Sequence, residues 1–574
     1  MNYNYPPDPI IDAINRKYCW EYKRVELQPG WISNSLEEEM QKWNPEETRH
    51  HPPILINAPT GSGKNWFIVE KLAKYAAEHN RFVLLLSNRY SLKLQEQLDL
   101  SETDEDSSFG SSSIQNCKVF GNIVLMLYHS VPYEFVKTLR VYPIGFIVLD
   151  EAHFFCSDAL FNVDTAHILK TIIGKSENIK RIYLSATPND VKHLMALEER
   201  CNLEHLLYHP EPWQSYASLA VRINMQNYIK EYYIPADFSF VKLHFFTDWN
   251  KMVTDIGLDS TEDQWLIFVS SKQDGHELHQ DMKKYSKYVD ADYKFSNPNE
   301  IRRLARLKQF REKVLITTTV LYNGVDFYSD RLKHIVVDSA DSTEIKQMLG
   351  RKRRKGDEIV HLHIKEKSAV DIDLLIKSYQ EKEKILQEFL YNQPHFDWHR
   401  WGTLTESQQL LFKVYPNGVL TSNEYAPYQL SRLIGKYEQI ADRFALEGPL
   451  AFFNKVCEWF GKSYESEMGS STHDELVENV DKYLGKACQS PMDRKNMQNF
   501  AEKLIKMVEL LKKDINAYKK IYGDETHMSS DTETIIQYFS LPYKIQKLKK
   551  SETNGEELWQ IVETSDTSSS PPTE

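Results

Sequence analysis

Residues 53–65 read Pro-Ile-Leu-Ile-Asn-Ala-Pro-Thr-Gly-Ser-Gly-Lys-Asn. Residues 53–57 open this stretch as an apolar run, which is typical of a buried strand, and lead into a glycine turn. Residues 64–79 follow with apolar side chains at helical spacing, and residues 82–86 are a second apolar run. Strand, glycine loop, helix and strand in this order predict a βαβ unit with parallel strands.

The same alternation continues along the chain. Further continuous apolar runs occur at 123–127, 146–149 and 182–184, and continuous runs indicate strands that are buried on both faces. A second series of strands and helices follows, and after residue 368 helical patterns dominate. We therefore predict an α/β fold with two tandem parallel-sheet domains followed by a mainly α-helical C-terminal domain. The predicted segments are an N-terminal extension (1–49), a first domain (50–216), a second domain (217–368), a helical accessory domain (369–550) and a disordered tail (551–574).

Composition excludes several protein classes. The six cysteines of the 574 residues are scattered without a Cys-x-x-Cys pair, which argues against a zinc site or a disulfide framework and suits a reducing cytoplasm. The N-terminus lacks a signal-peptide pattern, and the apolar runs are too short to span a bilayer, so no membrane association is expected. The net charge of −12 does not suggest nucleic acid, although a large protein can be acidic and still line one groove with Lys and Arg.

The glycine loop has the chemistry of a phosphate site. Small residues at Gly61, Ser62 and Gly63 let the backbone N–H groups surround a phosphate, and the following helix adds the positive end of its dipole. Lys64 can reach the β and γ phosphates. The loop departs from the general G-x-x-x-x-G-K-[ST] pattern, with Ala58 first and Asn65 last. The alternative is a glycine turn in another kind of α/β enzyme.

Two carboxylates follow the apolar run 146–149. Asp150 and Glu151 would lie at the carboxyl end of a parallel strand, which faces the ligand crevice of such a sheet. There Asp150 would hold Mg²⁺ and Glu151 would act as a general base toward water. The alternative is that the pair is simply the acidic start of a helix.

A basic segment, Gln-Met-Leu-Gly-Arg-Lys-Arg-Arg at 347–354, is predicted to be helical. Arg351 and Arg354 are three residues apart and would share one helix face. The alternative is a solvated basic patch or a contact to a phosphate backbone.

Six segments in this order resemble helicase superfamily 2, the DEAD/DEAH-box helicases: 58–65, Asp-Glu-Ala-His at 150–153, Ser-Ala-Thr at 185–187, 268–271, 318–326 and 347–354. The resemblance covers roughly residues 50–365. It implies two RecA-like domains with ATP and Mg²⁺ in the cleft between them. It further implies nucleotide contacts by Thr60, Gly61, Ser62, Gly63, Lys64, Asn65, Gly324, Asp326 and Gln347, coupling by His153, Ser185 and Thr187, and γ-phosphate contacts by Arg351 and Arg354, with Arg354 as the arginine finger.

The resemblance also implies a nucleic-acid track at strand ends opposite the nucleotide. The matching residues are Asn88, Arg89, Tyr128, His129, Ser270, Ser271, Thr318 and Thr319. Such hydroxyls and amides suit phosphate contacts, which carry no sequence information, but each is equally typical of a turn or a helix cap.

One residue departs from the family. A Ser or Thr that binds Mg²⁺ belongs at Asn65. An Asn carbonyl oxygen is also a hard neutral ligand on a longer side chain, so the site can be a tolerated variant or one that binds ATP and hydrolyses it slowly. We favour the tolerated variant, because Lys64, Asp150, Glu151 and both arginines remain.

The sequence therefore predicts an ATP-dependent motor on DNA or RNA, single-stranded or partly duplex. One alternative is a translocase or remodelling ATPase in a restriction or defence assembly, which separates no strands. Another is a nucleic-acid-binding scaffold that holds ATP without turnover. The C-terminal helical domain is a possible site for a protein partner.

Overall fold

The structure is a computed structural model. It describes residues 21–28, 30–46, 52–88, 117–208, 228–318, 321, 325–392, 398–416, 418–463, 472–488, 491–507, 531–538, 541–548 and 558–563. The chain divides into two compact units. The first comprises Met1–Lys242, Asp248–His363 and Tyr379–Gly435, and the second comprises Leu243–Thr247, Ile364–Ser378 and Lys436–Glu574.

The first sheet has eight strands in the order β1-β8-β2-β7-β6-β3-β5-β4. They are β1 (Glu21–Glu26), β2 (Ile54–Asn57), β3 (Phe82–Ser87), β4 (Cys117–Phe120), β5 (Ile123–Leu127), β6 (Ile144–Leu149), β7 (Lys180–Ser185) and β8 (Tyr228–Tyr233). The strands pair in parallel except β4, which is antiparallel to β5. Every residue of β2, β5, β6 and β7 is buried, which explains their continuous apolar runs.

Helices cover this sheet. They are α1 (Ile32–Met40), α2 (Lys64–Trp66), a π-helical segment (Phe67–Leu72) that leads into α3 (Ala73–Glu78), α4 (Val131–Val141), α5 (Phe154–Ser157), α6 (Thr165–Lys175) and α7 (Lys192–Tyr208). Single-turn 3₁₀ segments lie at Tyr128–Ser130, Asp158–Leu160 and Pro188–Asp190.

Two predicted boundaries of the first domain are wrong. In the predicted N-terminal extension, β1 is an edge strand of the sheet, and α1 buries Ile32 and Leu36 in the same core as Phe67 and Leu72. In the predicted second domain, β8 pairs with both β1 and β2. The sequence of β1 does not alternate between polar and apolar residues, since Tyr22 and Val25 are three apart, so it gives no strand signal of its own.

The second sheet has the order β11-β12-β10-β13-β14-β9. Its strands are β9 (Val241–Phe246), β10 (Gln264–Phe268), β11 (Ser286–Val289), β12 (Val314–Thr317), β13 (Leu332–Val337) and β14 (Val360–Lys365). The helices between them are α8 (Trp249–Leu258), α9 (Lys272–Asp281), α10 (Ala291–Ser296), α11 (Pro298–Leu307) and α12 (Ser342–Leu349). Strands β10 and β12, β10 and β13, and β11 and β12 pair in parallel.

The C-terminal region is mainly helical. Its helices are α13 (Ala369–Asn392), α14 (Trp398–Thr403), α15 (Glu406–Gln409), α16 (Ala426–Glu447), α17 (Ala451–Trp459), α18 (Thr472–Ala487), α19 (Arg494–Met507) and α20 (Asp531–Tyr538), with a 3₁₀ turn at Gly448–Leu450. Two antiparallel pairs accompany them, β15 (Phe412–Val414) with β16 (Leu420–Ser422) and β17 (Tyr543–Leu548) with β18 (Leu558–Glu563). The predicted fold class, two parallel-sheet α/β domains followed by a mainly helical region, is confirmed.

Two details of the C-terminal prediction are wrong. Residues 558–563, placed in a disordered tail, form β18, because Ile561 is fully buried in a small core with Leu484 and Phe500. The predicted accessory domain is also not one unit. Its residues 379–435 group with the two sheets, where Asn423 donates from Nδ2 to Thr165 Oγ1 at 2.7 Å.

Candidate nucleotide site

The site forms where three adjacent strands of the first sheet end. Asn57 of β2 lies opposite Ser185 of β7 in register. The backbone continues this pairing, since Ala58 N donates to Ser185 O at 3.2 Å and Ala152 N donates to Leu184 O at 2.8 Å. Because parallel strands end at one edge, the glycine loop, the carboxylates and the Ser-Ala-Thr segment come together there.

The glycine loop has the backbone conformation of a phosphate cradle. Gly61 and Gly63 have φ values of 84° and 82°, a region that favours glycine. Ser62 Oγ donates to Pro59 O at 2.7 Å and so braces the turn. Lys64 Nζ donates to the carbonyls of Ala58 and Pro59 at 3.0 and 3.1 Å. Burial lowers the pKa of Lys64, although the charges of the nearby carboxylates oppose this shift.

An aromatic side chain that sequence reasoning missed packs on this loop. A Cβ at Gly63 would lie 2.5 Å from the ring of Trp31, and Ile32 N donates to Ser62 O at 3.0 Å. Trp31 also meets Trp66 edge to face at 6.4 Å between centroids. Nothing in the sequence signalled Trp31, because its partner Gly63 is more than thirty residues away.

The two carboxylates differ in their surroundings. Asp150 is 4% exposed, and its Oδ1 accepts no hydrogen bond from any residue that the structure describes. Burial and the charge of Glu151 raise the pKa of Asp150 to about 7. Burial opposes ionisation of Glu151 as well, but the charges of His153 and Lys64 hold its pKa below the usual range. Glu151 has a φ of 48°, an unusual conformation for a residue with a long side chain.

These groups fit ATP and Mg²⁺. The glycine loop can direct backbone N–H groups at a phosphate, and the unpaired Asp150 oxygen can hold a cation directly or through water. In the described part of the chain no three His, Cys, Asp or Glu residues converge on one metal position. Mg²⁺ usually takes one or two protein ligands and completes its shell with water and phosphate oxygens. Asn65 is exposed at the start of α2.

The predicted coupling residues lie together with Gln347 of α12. His153 Nδ1 lies 3.4 Å from Ser185 Oγ, and His153 Nε2 lies 2.7 Å from Gln347 Nε2. Gln347 Nε2 also donates to Thr187 Oγ1 at 3.3 Å. Gln347 is 2% exposed and His153 is 1% exposed, so a buried polar chain joins the second sheet domain to the first.

The end of α12 touches the glycine loop. A Cβ placed on Gly350 would lie 2.4 Å from Thr60 Oγ1 and 2.7 Å from Thr60 Cβ. Real side chains do not approach this closely, so only glycine fits at residue 350 in this arrangement.

The predicted geometry of the arginines is wrong. Helix α12 ends at Leu349, so Arg351 and Arg354 do not share a helix face. Arg351 Nη1 lies 3.1 Å from Asp326 Oδ1, whereas Arg354 is exposed with its guanidinium carbon 3.9 Å from the centroid of the Phe240 ring. The residue that faces the glycine loop is Arg353, whose Nη1 would lie 3.5 Å from a Cβ on Gly61.

The prediction that Tyr128 contacts nucleic acid is also wrong. Tyr128 is fully buried, stacks on Phe154 at 5.0 Å and donates from its hydroxyl to Asp150 O at 2.8 Å. Its ring is part of the core, because the segment enters a 3₁₀ turn that points Tyr128 inward and leaves His129 exposed.

The remaining track residues lie at strand ends. Asn88 has a half-buried side chain whose Nδ2 and Oδ1 have no hydrogen-bond partner among the described residues. Ser270 Oγ donates to Asp338 Oδ2 at 3.2 Å, and Ser271 caps α9 by accepting from Asp274 N at 3.0 Å. Thr318 is half-buried and its carbonyl accepts from Thr317 Oγ1. Three predicted residues, Arg89, Thr319 and Gly324, lie outside the described residues.

Comparison with protein families agrees with this geometry. Residues 24–190 match the family model "Type III restriction enzyme, res subunit". The matched region contains the glycine loop, the two carboxylates and the Ser-Ala-Thr segment of the candidate site. The match begins within β1 and ends at Asp190, so the matched region includes part of β1 and the whole of α1, which we had placed in an extension.

Solved structures also resemble the chain. Saccharomyces cerevisiae Dbp5 bound to RNA and ADP BeF3 is 15% identical, with 63% of this chain and 84% of that chain covered and a TM-score of 0.33. Mycobacterium smegmatis helicase Lhr bound to ssDNA and AMP-PNP is 14% identical, with 79% of this chain and 68% of that chain covered and a TM-score of 0.39. A DEAD box protein from Methanococcus jannaschii is 16% identical, with 63% of this chain and 93% of that chain covered and a TM-score of 0.32. No curated protein sequence matches the chain.

None of the helices in the described ranges combines the length and the apolar character needed to cross a membrane.

Proposed function

We propose that the chain is an ATP-dependent nucleic-acid motor that couples closure of its two sheet domains to movement on a strand of DNA or RNA. The observation that carries the proposal is the 2.7 Å approach of Gln347 to His153. It joins the second domain to the Asp-Glu-Ala-His segment that holds the carboxylates. A change of nucleotide state at Asp150 and Glu151 would thereby reach the second domain through a buried polar chain.

Each residue has a definite task in this proposal. The backbone of Gly61–Gly63 and the Nζ of Lys64 bind phosphates, while Asp150 and Asn65 hold Mg²⁺. Bound Mg²⁺ would supply positive charge to the phosphate oxygens. Glu151 accepts a proton from, or orients, the attacking water, because its carboxylate stays ionised beside His153 and Lys64. Gly350 lets the second domain approach Thr60.

ATP turnover with and without single-stranded DNA and RNA tests the proposal. We expect nucleic acid of one kind to stimulate turnover, and Lys64→Ala to abolish it while the fold is retained. ATP binding by the wild type with no turnover under any condition would instead support the scaffold that holds ATP without hydrolysis.

A second candidate is a translocase that separates no strands and works in a restriction or defence assembly. The family match to a restriction-enzyme subunit favours it. A fluorescent partial duplex and a strand carrying a terminal protein block distinguish the two. A helicase releases the complementary strand, whereas a translocase displaces only the block. Cytoplasmic location and a protein partner at the C-terminal region remain predictions.

A further inference from the structure

The segment after α12 is extended because it pairs with a distant part of the chain. Phe327 and Lys352 form a parallel bridge. Phe327 N donates to Arg351 O at 2.8 Å, and Arg353 N donates to Phe327 O at 2.8 Å. Side chains alternate in direction along such a segment, so Arg351 and Arg353 lie on one side and Lys352 on the other.

The contacts follow this alternation. Lys352 is buried on its own side, where Nζ donates to Ser329 O at 2.8 Å and meets Glu358 Oε2 at 2.8 Å. On the opposite side both arginines meet Asp326. Arg353 Nε donates to Asp326 Oδ2 at 2.6 Å, and Arg351 Nη1 lies 3.1 Å from Asp326 Oδ1. Asp326 thus orients two guanidinium groups with one carboxylate.

Arg353 is directed at the glycine loop. Its Nη1 would lie 3.5 Å from a Cβ on Gly61, which places it beside the predicted phosphate cradle. Burial opposes its charge, but Asp326 and Glu151 raise the pKa of Arg353, so it remains a cation. A fixed cation with a planar fork of donors is well suited to bind phosphate oxygens in two places.

Arg354 occupies a different environment. It is exposed, and its guanidinium lies 3.9 Å above the Phe240 ring, a cation–π contact. Its place in the sequence matches the family's arginine finger, but its side chain follows the extended backbone instead of a helix.

We propose that Arg353, and not Arg354, is the guanidinium that contacts the terminal phosphate of a nucleotide held by Gly61–Lys64, with Asp326 as its positioning residue. This inference rests on the proposed function, because it presupposes a triphosphate in the glycine loop. Arg353 belongs to the second domain and the loop to the first, so the contact exists only when the two are closed together. Binding of a terminal phosphate therefore favours closure.

Two measurements on the full chain test this inference. The first is the affinity ratio between fluorescent AMP-PNP and fluorescent ADP, which reports the terminal-phosphate contact without turnover. The second is steady-state ATP hydrolysis. The variants are Arg353→Ala, Arg354→Ala and the matched control Lys355→Ala, whose side chain is exposed beside Asp330.

We expect Arg353→Ala to remove the preference for AMP-PNP and to lower kcat by about 1,000-fold, since an arginine finger contributes on this scale. ADP affinity should change by less than about threefold, because only the terminal-phosphate contact is lost. Arg354→Ala and Lys355→Ala should resemble the wild type in both measurements. Arg353→Gln retains a donor toward Asp326 and replaces the alanine variant if that variant does not fold.

Asp326→Asn tests the positioning role. It should reduce the AMP-PNP preference and kcat together, with ADP affinity and thermal stability near the wild-type values. A loss of stability with an unchanged preference would mean that Asp326 is structural only.

Other outcomes overturn the inference. If Arg354→Ala removes the AMP-PNP preference and Arg353→Ala does not, Arg354 contacts the terminal phosphate, as its match to the family's arginine finger implies. If neither does, or if the wild type has no preference, neither Arg353 nor Arg354 contacts the terminal phosphate and the inference is wrong. Failure of the proposed function looks different, since a wild type that prefers AMP-PNP but never hydrolyses ATP keeps the Arg353 contact and is not a motor.

Discussion

Gln347 Nε2 lies 2.7 Å from His153 Nε2 and 3.3 Å from Thr187 Oγ1. A single amide of the second domain therefore touches two segments of the first, both of which follow buried strands next to the glycine loop. Gln347 and His153 are buried and Thr187 is half-buried, so losing this amide would leave His153 Nε2 as a buried polar atom without this partner.

Replacement of Gln347 should separate nucleotide binding from its effect on the second domain. We expect Gln347→Ala to reduce nucleic-acid-stimulated turnover by at least about fivefold, a typical coupling strength, with little change in ADP affinity. Gln347→Glu keeps the size of the side chain but cannot donate to Thr187 Oγ1, so it should reduce stimulation as alanine does. Wild-type stimulation in the glutamate variant would contradict a donor role. Stimulated and basal ATPase rates provide the measurement.

A methyl group at Gly350 should prevent the second domain from reaching Thr60. The expected result of Gly350→Ala is loss of ATP turnover in a folded protein, because the added Cβ would lie 2.4 Å from Thr60 Oγ1. Gly402→Ala is the control, since a Cβ there would meet nothing within 4 Å. Energy transfer between dyes on the two sheet domains, with AMP-PNP bound, should report a more open state only for Gly350→Ala. An unchanged transfer signal would show that the glycine loop shifts to accommodate the methyl group.

The odd residue of the glycine loop gives a separate prediction. Asn65 is exposed and its carbonyl oxygen can serve as a neutral ligand, so we expect Asn65→Thr to shift the Mg²⁺ requirement of turnover by less than about threefold. Asn65→Ala removes the oxygen and should raise that requirement. If Asn65→Thr greatly accelerates hydrolysis at saturating Mg²⁺, Asn65 slows hydrolysis and is not a neutral variant. A Mg²⁺ titration of turnover distinguishes these outcomes.

Helix α1 should stabilise the first domain through a pH-dependent ion pair. Hydrogen bonds from Lys230, and further ones from Lys42 and Tyr232, lower the pKa of Glu39 to about 2 from 4.5. A carboxylate with a lowered pKa stabilises the fold above its unfolded pKa, and the contribution is lost as the pH falls from about 4.5 to about 2. We expect Glu39→Gln to cost about 1–2 kcal/mol at pH 7, allowing for partial exposure.

Denaturant midpoints at pH 7, 4 and 3 measure this effect. The difference between the wild type and Glu39→Gln should narrow at the lowest pH. Glu37→Gln on the same helix is the control, because Glu37 is half exposed in its bridge to Lys71 and should contribute little. An equal cost at all three pH values would show that packing, not charge, explains the loss.

Cys156 should be unreactive while helix α16 stays docked. Burial raises the pKa of this thiol to about 12, and its Sγ donates to Gln429 Oε1 at 2.7 Å. Such a pKa leaves on the order of 1,000-fold less thiolate at pH 8 than an ordinary cysteine has. Alkylation followed by mass spectrometry should label Cys201 well before Cys156 in the native protein.

Arg432→Ala extends this test. Arg432 of α16 is ion-paired with Asp190, which also accepts from Thr343 Oγ1 at 3.1 Å. Removing the guanidinium should loosen α16 and speed the labelling of Cys156. Labelling of Cys156 as fast as Cys201 in the wild type would contradict the docked arrangement.

The sequence by itself determined the elements of the first domain's centre and the residues at their ends. Continuous apolar runs that alternate with helical patterns predict buried strands of a parallel sheet, and the residue after such a strand is expected at the ligand edge, where Asp150 lies. The glycines of the loop were equally readable, because Gly61 and Gly63 have positive φ values that few other residues adopt.

Tertiary structure alone decided which arginine faces the loop. A helix would have aligned Arg351 with Arg354, but pairing with Phe327 makes the segment extended and aligns Arg351 with Arg353. The same holds for Trp31 against Gly63, for β8 beside β2 and for Tyr128 turned into the core. In each case the direction of a side chain, or the sheet that a strand joins, depends on a partner far away in the chain. Local periodicity in the sequence does not identify that partner.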